Sequence, residues 1–108
     1  MSDLSRFDLS LFEESAGHAA SLLRLLANEK RLMILCQLSD DELRVGDLQS
    51  RVGLSQSALS QHLALLREEG VVATRREGTT IHYRIADPAA LRVIQTLAEL
   101  FCPPEMRE

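Results

Sequence analysis

No run of about 18 apolar residues occurs in the chain, which argues against a membrane-spanning helix. The opening residues, Met1-Ser2-Asp3-Leu4-Ser5, lack the basic start and apolar stretch of a signal peptide, so a soluble cytoplasmic protein is expected. Cysteine is scarce. Cys36 and Cys102 form no C-x-x-C pair, and in a reducing compartment a permanent disulfide between them is not expected. They are either small apolar residues or sensors. There is no repeat, no glycine-rich phosphate loop and no nucleophile–base–orienter set, so neither an enzyme nor a cofactor is expected. Basic residues are not in excess either. The net charge is −4, which by itself argues against a nucleic-acid partner.

What is present changes that picture. The 108 residues fit one domain, and the 45% that are apolar are spread along the whole length, enough for a small core that dimerisation would supplement. Charge is segregated. Between Arg44 and Arg84 six arginines face four carboxylates, so the acid is concentrated towards the two ends. A central segment facing phosphates, with acidic ends turned elsewhere, fits that distribution.

Periodicity predicts the elements. Residues 1–8 are expected to be a flexible N-terminus. From Leu9 to Leu26, Phe12, Ala16, Ala19, Leu23 and Leu26 recur at helical spacing. Asn28 caps a second helix to about Ser39, and Asp40-Asp41-Glu42 breaks it. A short third helix fits Val45–Val52, stopped by Gly53. Leu54 is an apolar plug, and Ser55 caps a fourth helix reaching about Glu69, with Leu59, Leu63 and Leu66 inward. Two helices joined by a tight glycine turn, the second longer and polar outside, form a helix-turn-helix pattern. Residues 71–77 and 80–85 are β-rich runs around Gly78-Thr79, a hairpin signal. Asp87 and Pro88 then start a last helix, ended by Pro103-Pro104, and residues 103–108 form a tail. The expected fold is mainly α with a β-hairpin wing: a winged helix-turn-helix of four helices, a hairpin and a fifth helix, spanning 9–102.

The fourth helix carries the chemistry. Its outer face presents Ser55, Gln56, Ser57, Ser60, Gln61 and Ala64, with Arg67 further along. A solvated helix face is usually rich in Glu and Lys; here forked amides and hydroxyls stand instead, groups that bond base edges without repelling phosphates. The capped N-terminus suits a phosphate oxygen. Arg75, Arg76, Thr79, Thr80 and Tyr83 lie on or beside the hairpin, within reach of the DNA backbone or minor groove, although charge on an exposed strand also guards against aggregation. His62 fits a structural or phosphate-bonding role.

The last helix has two apolar stripes, Leu91-Ile94-Ala98-Phe101 and Val93-Leu97-Leu100, and the first helix adds Leu11, Leu22 and Leu25 to its main stripe. One stripe covers the core; a second needs another partner. A two-fold homodimer through the first and last helices is the simplest one, and it would set two recognition helices about 34–36 Å apart on an inverted repeat.

These residues resemble the ArsR/SmtB family of metal- and thiol-responsive repressors over roughly Leu22–Cys102. The strongest parts are Leu26-Ala27-Asn28-Glu29-Lys30-Arg31-Leu32-Met33-Ile34-Leu35, Glu42-Leu43-Arg44-Val45-Gly46-Asp47-Leu48 and Leu54-Ser55-Gln56-Ser57-Ala58-Leu59-Ser60-Gln61-His62-Leu63. The resemblance implies derepression, with an inducer releasing the dimer from operator DNA. The family's arsenic sensors carry cysteines where Arg44 and Gly46 stand here. Its zinc sensors use an Asp/His set on the last helix, which between Asp87 and Cys102 has no histidine and one internal acid, Glu99. One cysteine in the second helix and one at the end of the last resembles the persulfide-sensing subgroup of BigR, SqrR and HlyU type. That likeness implies Cys36 and Cys102 as sensing thiols and a small reactive sulfur species as inducer. Against it, a helix C-terminus disfavours a thiolate at Cys102 and Cys36 lies on an apolar face, so a basic group would have to compensate.

Other readings stay open. The two thiolates could bind arsenite or another soft metal, with His18 or a partner residue completing an otherwise incomplete site. A thiol enzyme and a protein-binding winged helix that has lost DNA are further alternatives.

Overall fold

The computed structural model describes residues 9–102. The segments 1–8 and 103–108, including the Pro103-Pro104 helix stop, lie outside the described residues. The order is α1 (Leu9–Leu26), α2 (Glu29–Leu38), β1 (Leu43–Arg44), α3 (Val45–Val52), α4 (Gln56–Glu68), β2 (Val72–Glu77), β3 (Thr80–Ile85) and α5 (Pro88–Phe101). The fold is a winged helix-turn-helix, mainly helical with a small antiparallel hairpin.

Local chemistry sets the boundaries. The Asn28 side chain accepts from Arg31 N at 3.0 Å and opens α2. Ser39 closes it, donating from Oγ to the Cys36 carbonyl at 2.8 Å. Gly53 ends α3 in the left-handed region (φ 68°), its N–H donating to Gln49 O at 3.0 Å, a conformation that costs glycine no side-chain clash. Ser55 Oγ accepts from Ala58 N at 3.2 Å and starts α4. Asp87 accepts from Ala89 N at 2.9 Å, with Pro88 as the first residue of α5.

The sheet has a third strand that periodicity did not reveal. Leu43 and Arg44 pair with Tyr83 and His82, giving the antiparallel order β1-β3-β2. Two residues are too few to show an alternation, and their pairing depends on β3, about 40 residues away. The core lies between the sheet and the helices. Ile34, Leu35, Leu48, Leu59, Leu66 and Ile94 are wholly buried there, and Leu54 packs against the cluster.

Helix α1 sits differently from its expected stripe. Leu22, Leu25 and Leu26 face the core, whereas Leu23 is 56% exposed and Phe12 is 45% exposed. The helix meets the core through its last two turns, so the face offered there, at i, i+3 and i+4, sets its rotation. At the other end of the chain α5 buries Ala90 and Ile94 and leaves Leu100 and Phe101 at the surface.

Candidate nucleic-acid interface and thiol cleft

Helix α4 is packed on one side and open on the other. Leu59, Leu63 and Leu66 are buried, while Ser55, Gln56, Ser57, Ser60, Gln61, Ala64 and Arg67 are exposed. Apart from Ser55 Oγ, which caps the helix, these side chains make no hydrogen bond or ion pair among the described residues. A rigid rod with free amides and hydroxyls on one face can enter a major groove. His62 stands apart from that row. It is half-buried, and burial together with the Arg31 guanidinium lowers its pKa, so it stays neutral at physiological pH. Arg31 itself donates to the Leu25 carbonyl at 2.6 Å, joining the ends of α1 and α2. Sequence reasoning missed Arg31 because the family-like run around it gives no hint of a neighbour on α4.

The hairpin divides its side chains between two faces. Register pairs Thr74 with Tyr83 and Arg76 with Ile81, while Arg75 pairs with His82 and Glu77 with Thr80. Alternation therefore sets Arg76 on the face of Tyr83, which packs against the core and lines a cleft with Ser60, Ala64 and Arg67 of α4. Arg76 and Thr79 are exposed, and Arg76 has no ion-pair partner among the described residues. Arg75, on the opposite face, is engaged: its Nε donates to both carboxylate oxygens of Glu42 at 2.8 and 3.0 Å, and its Nη1 reaches Glu77 at 3.4 Å. Glu77 is also 3.6 Å from His82. Glu42 had no sequence signal, being 33 positions from its partner.

The two cysteines meet in one place. Leu32 and Cys36 of α2, Ile94, Leu97, Ala98 and Phe101 of α5, and Cys102 line a cleft of about 210 Å³ with almost no polar surface. Cys36 is half-buried and Cys102 exposed, with no disulfide between them. Burial raises the Cys36 pKa, and a negative Cys102 would raise it further. Among the described residues no basic side chain lines the cleft to oppose either effect. His18 lines a separate cleft with Ser21, Leu22, Leu25, Glu69, Val71 and Asp87. Among the described residues no group of three His, Cys, Asp or Glu side chains could hold a metal ion. No described helix is long and apolar enough to cross a membrane.

The exposed helix, its glycine turn and its hairpin coincide with a known family. Residues 28–74 match the bacterial regulatory protein, arsR family. Transcriptional activator HlyU of Vibrio cholerae is 48% identical over 95 residues, covering 88% of each chain. The chain belongs to the ArsR family. Another member, the biofilm growth-associated repressor of Agrobacterium fabrum, is 43% identical over 95% of this chain and 88% of its own. The crystal structure of the transcriptional repressor BigR from Xylella fastidiosa superposes with a TM-score of 0.82 at 37% identity, covering 90% of this chain and 99% of that one. These relatives are transcriptional regulators, and ArsR-family regulators bind operator DNA.

Proposed function

We propose that this ArsR-family regulator is a homodimeric repressor that holds an inverted-repeat operator through α4 and the hairpin, and lets go when reactive sulfur bridges Cys36 and Cys102. One observation carries the sensing half: the two cysteines of the chain, 66 positions apart, line the same apolar cleft between α2 and α5. The exposed residues Leu9, Leu23, Leu100 and Phe101 lie on α1 and α5, the helices that would pack across the two-fold axis. In the DNA-bound dimer, Gln56, Ser57, Ser60 and Gln61 read base edges, Ser55 and the helix N-terminus meet a phosphate, and Arg67, Arg76 and Thr79 line the backbone.

An organic persulfide R–S–SH supplies the chemistry. The Cys102 thiolate, the more accessible of the two, attacks the outer sulfur; R–S⁻ leaves and a Cys102 persulfide forms. Cys36 is converted in the same way by a second equivalent. The Cys36 persulfide anion then attacks Sγ of Cys102, closing Cys36–S–S–S–Cys102 and expelling HS⁻. This trisulfide is the shortest bridge that contains an added sulfur, and it spans a wider gap than a disulfide, whose Cα atoms must lie within about 4.4–6.8 Å. Burial raises the Cys36 pKa and thins its thiolate, so the more exposed Cys102 reacts first and Cys36 second. A coupling of about 1–3 kcal/mol between cleft and DNA is enough to change operator affinity roughly 5- to 150-fold.

Intact mass spectrometry beside operator binding tests this reading. Persulfide should add one sulfur, remove two hydrogens and release the DNA, while Cys36→Ser and Cys102→Ser should bind DNA normally and ignore the inducer. Release accompanied by an arsenic or metal adduct would instead establish a soft-metal sensor. Release that persists in both serine variants sinks thiol sensing altogether.

A further inference from the structure

The Glu42–Arg75 contact ties the hairpin to the segment that follows α2. Glu42 directly precedes β1, and Arg75 is the fourth residue of β2; the central strand β3 lies between them. The contact thus spans the whole sheet on the face away from Tyr83, with Glu77 taking the other side of the guanidinium at 3.4 Å. Arg75 is also flanked in register by His82, whose other neighbour across the sheet is Arg44. The two acids, Glu42 first through its hydrogen bonds and then Glu77, hold the guanidinium and raise its pKa.

We infer that Arg75 is a positioning residue for DNA binding and not a phosphate ligand: the Glu42–Arg75–Glu77 clamp sets the angle at which the hairpin leaves the body, and Arg76 on the opposite face makes the phosphate contact. The inference rests on the DNA-binding reading above. Three observations separate the neighbouring arginines. Arg75 donates to three carboxylate oxygens, and a DNA phosphate would have to displace them. Arg76 has no ion pair among the described residues. Strand alternation places Arg76, not Arg75, on the face that leads through Tyr83 to Ser60, Ala64 and Arg67 of α4. For stability an exposed ion pair of this kind counts for little. Its effect is on direction: the base of the hairpin is held by the β1 pairing and by Val72, Tyr83 and Ile85 against the core, and the Glu42–Arg75 contact adds a side-chain tie further along β2.

Salt dependence distinguishes a phosphate ligand from a positioning residue. Each phosphate neutralised adds about 0.9 to the slope of log affinity against log salt. The probe is a short duplex enriched by the wild-type protein from a random-sequence pool. In a dimer, Arg76→Ala should flatten the slope by about 2, two contacts being lost. Arg75→Ala should weaken binding several-fold with the slope unchanged. Glu42→Gln should reproduce that loss, the double variant should be no worse than either single one, and the exchange Glu42→Arg with Arg75→Glu should recover affinity. Should Arg75→Ala flatten the slope as Arg76→Ala does, or Glu42→Gln tighten binding by freeing Arg75, the assignment is overturned. A wild-type protein whose binding ignores salt overturns the DNA reading itself, and this inference with it. Thermal melting of each variant separates a tilted hairpin from an unfolded one.

Discussion

The surface around α4 and the cleft between α2 and α5 share one core and differ in almost every other respect. The α4 face is exposed and polar and carries no charge from Ser55 to Gln61. The cleft is apolar, holds both thiols, and among the described residues has no charged side chain in its lining. The contrast suits the two tasks proposed for them. A surface that reads bases must offer hydrogen bonds to a partner and withhold them from itself. Each region can therefore be damaged alone only where it does not borrow from the core, and substitutions can probe how separate the two are.

Leu63→Ala should have the largest effect. Leu63 lies behind α4 and is 2% exposed, and its truncation should cost about 2–5 kcal/mol in denaturant unfolding, with loss of both DNA binding and inducer response. Loss of one function with the other intact would show the regions to be more independent than their common core implies. Gln61→Ala comes next. It should lose about 1–3 kcal/mol of discrimination at each half-site and relax base preference there, while thiol reactivity stays as in the wild type. Ser55→Ala removes the α4 cap and should lower unfolding stability by about 0.5–2 kcal/mol, seen as a lower Tm. The smallest effect is electrostatic. Because burial and then Cys102 raise the Cys36 pKa, alkylation of Cys36 should accelerate only above the usual thiol range. Cys102→Ser should shift that profile slightly downward, leaving it raised because burial, the larger cause, persists. The sign for folding follows: the neutral thiol is favoured in the native state, so this contribution is complete below the unfolded-state pKa and is lost as pH rises through the native one.

The two regions also differed in how far they could be read from residues alone. The α4 surface was legible because its signals are local: Gly53 and Ser55 bracket the turn, and Leu59, Leu63 and Leu66 mark the inner side by spacing. The hairpin was legible for the same reason, through Gly78-Thr79. The cleft was not. Nothing near Cys36 points to Cys102; only the family likeness paired them, and only the packing of α2 against α5 shows that they share a cavity. The same holds for Glu42 and Arg75, and for β1. The rotation of α1 was misjudged because its stripe contains more leucines than the core can cover, so the face that α2 leaves room for decides which ones turn inward. Information spread over one or two turns survives in a linear reading; pairings across the sheet or between distant helices depend on the fold.

The separation of the two thiols along the chain, with one in α2 and the other just after α5, bears on the fate of the protein under the proposed switch. A sulfur bridge from residue 36 to residue 102 would enclose most of the fold in a covalent ring. Closing a ring of that size restricts the unfolded chain by about 4 kcal/mol on entropic grounds, so the form released from DNA would resist heat and proteases better than the form that holds it. Under the proposed switch, the regulator would be preserved through sulfur stress and returned to service by reduction, with no need for new synthesis.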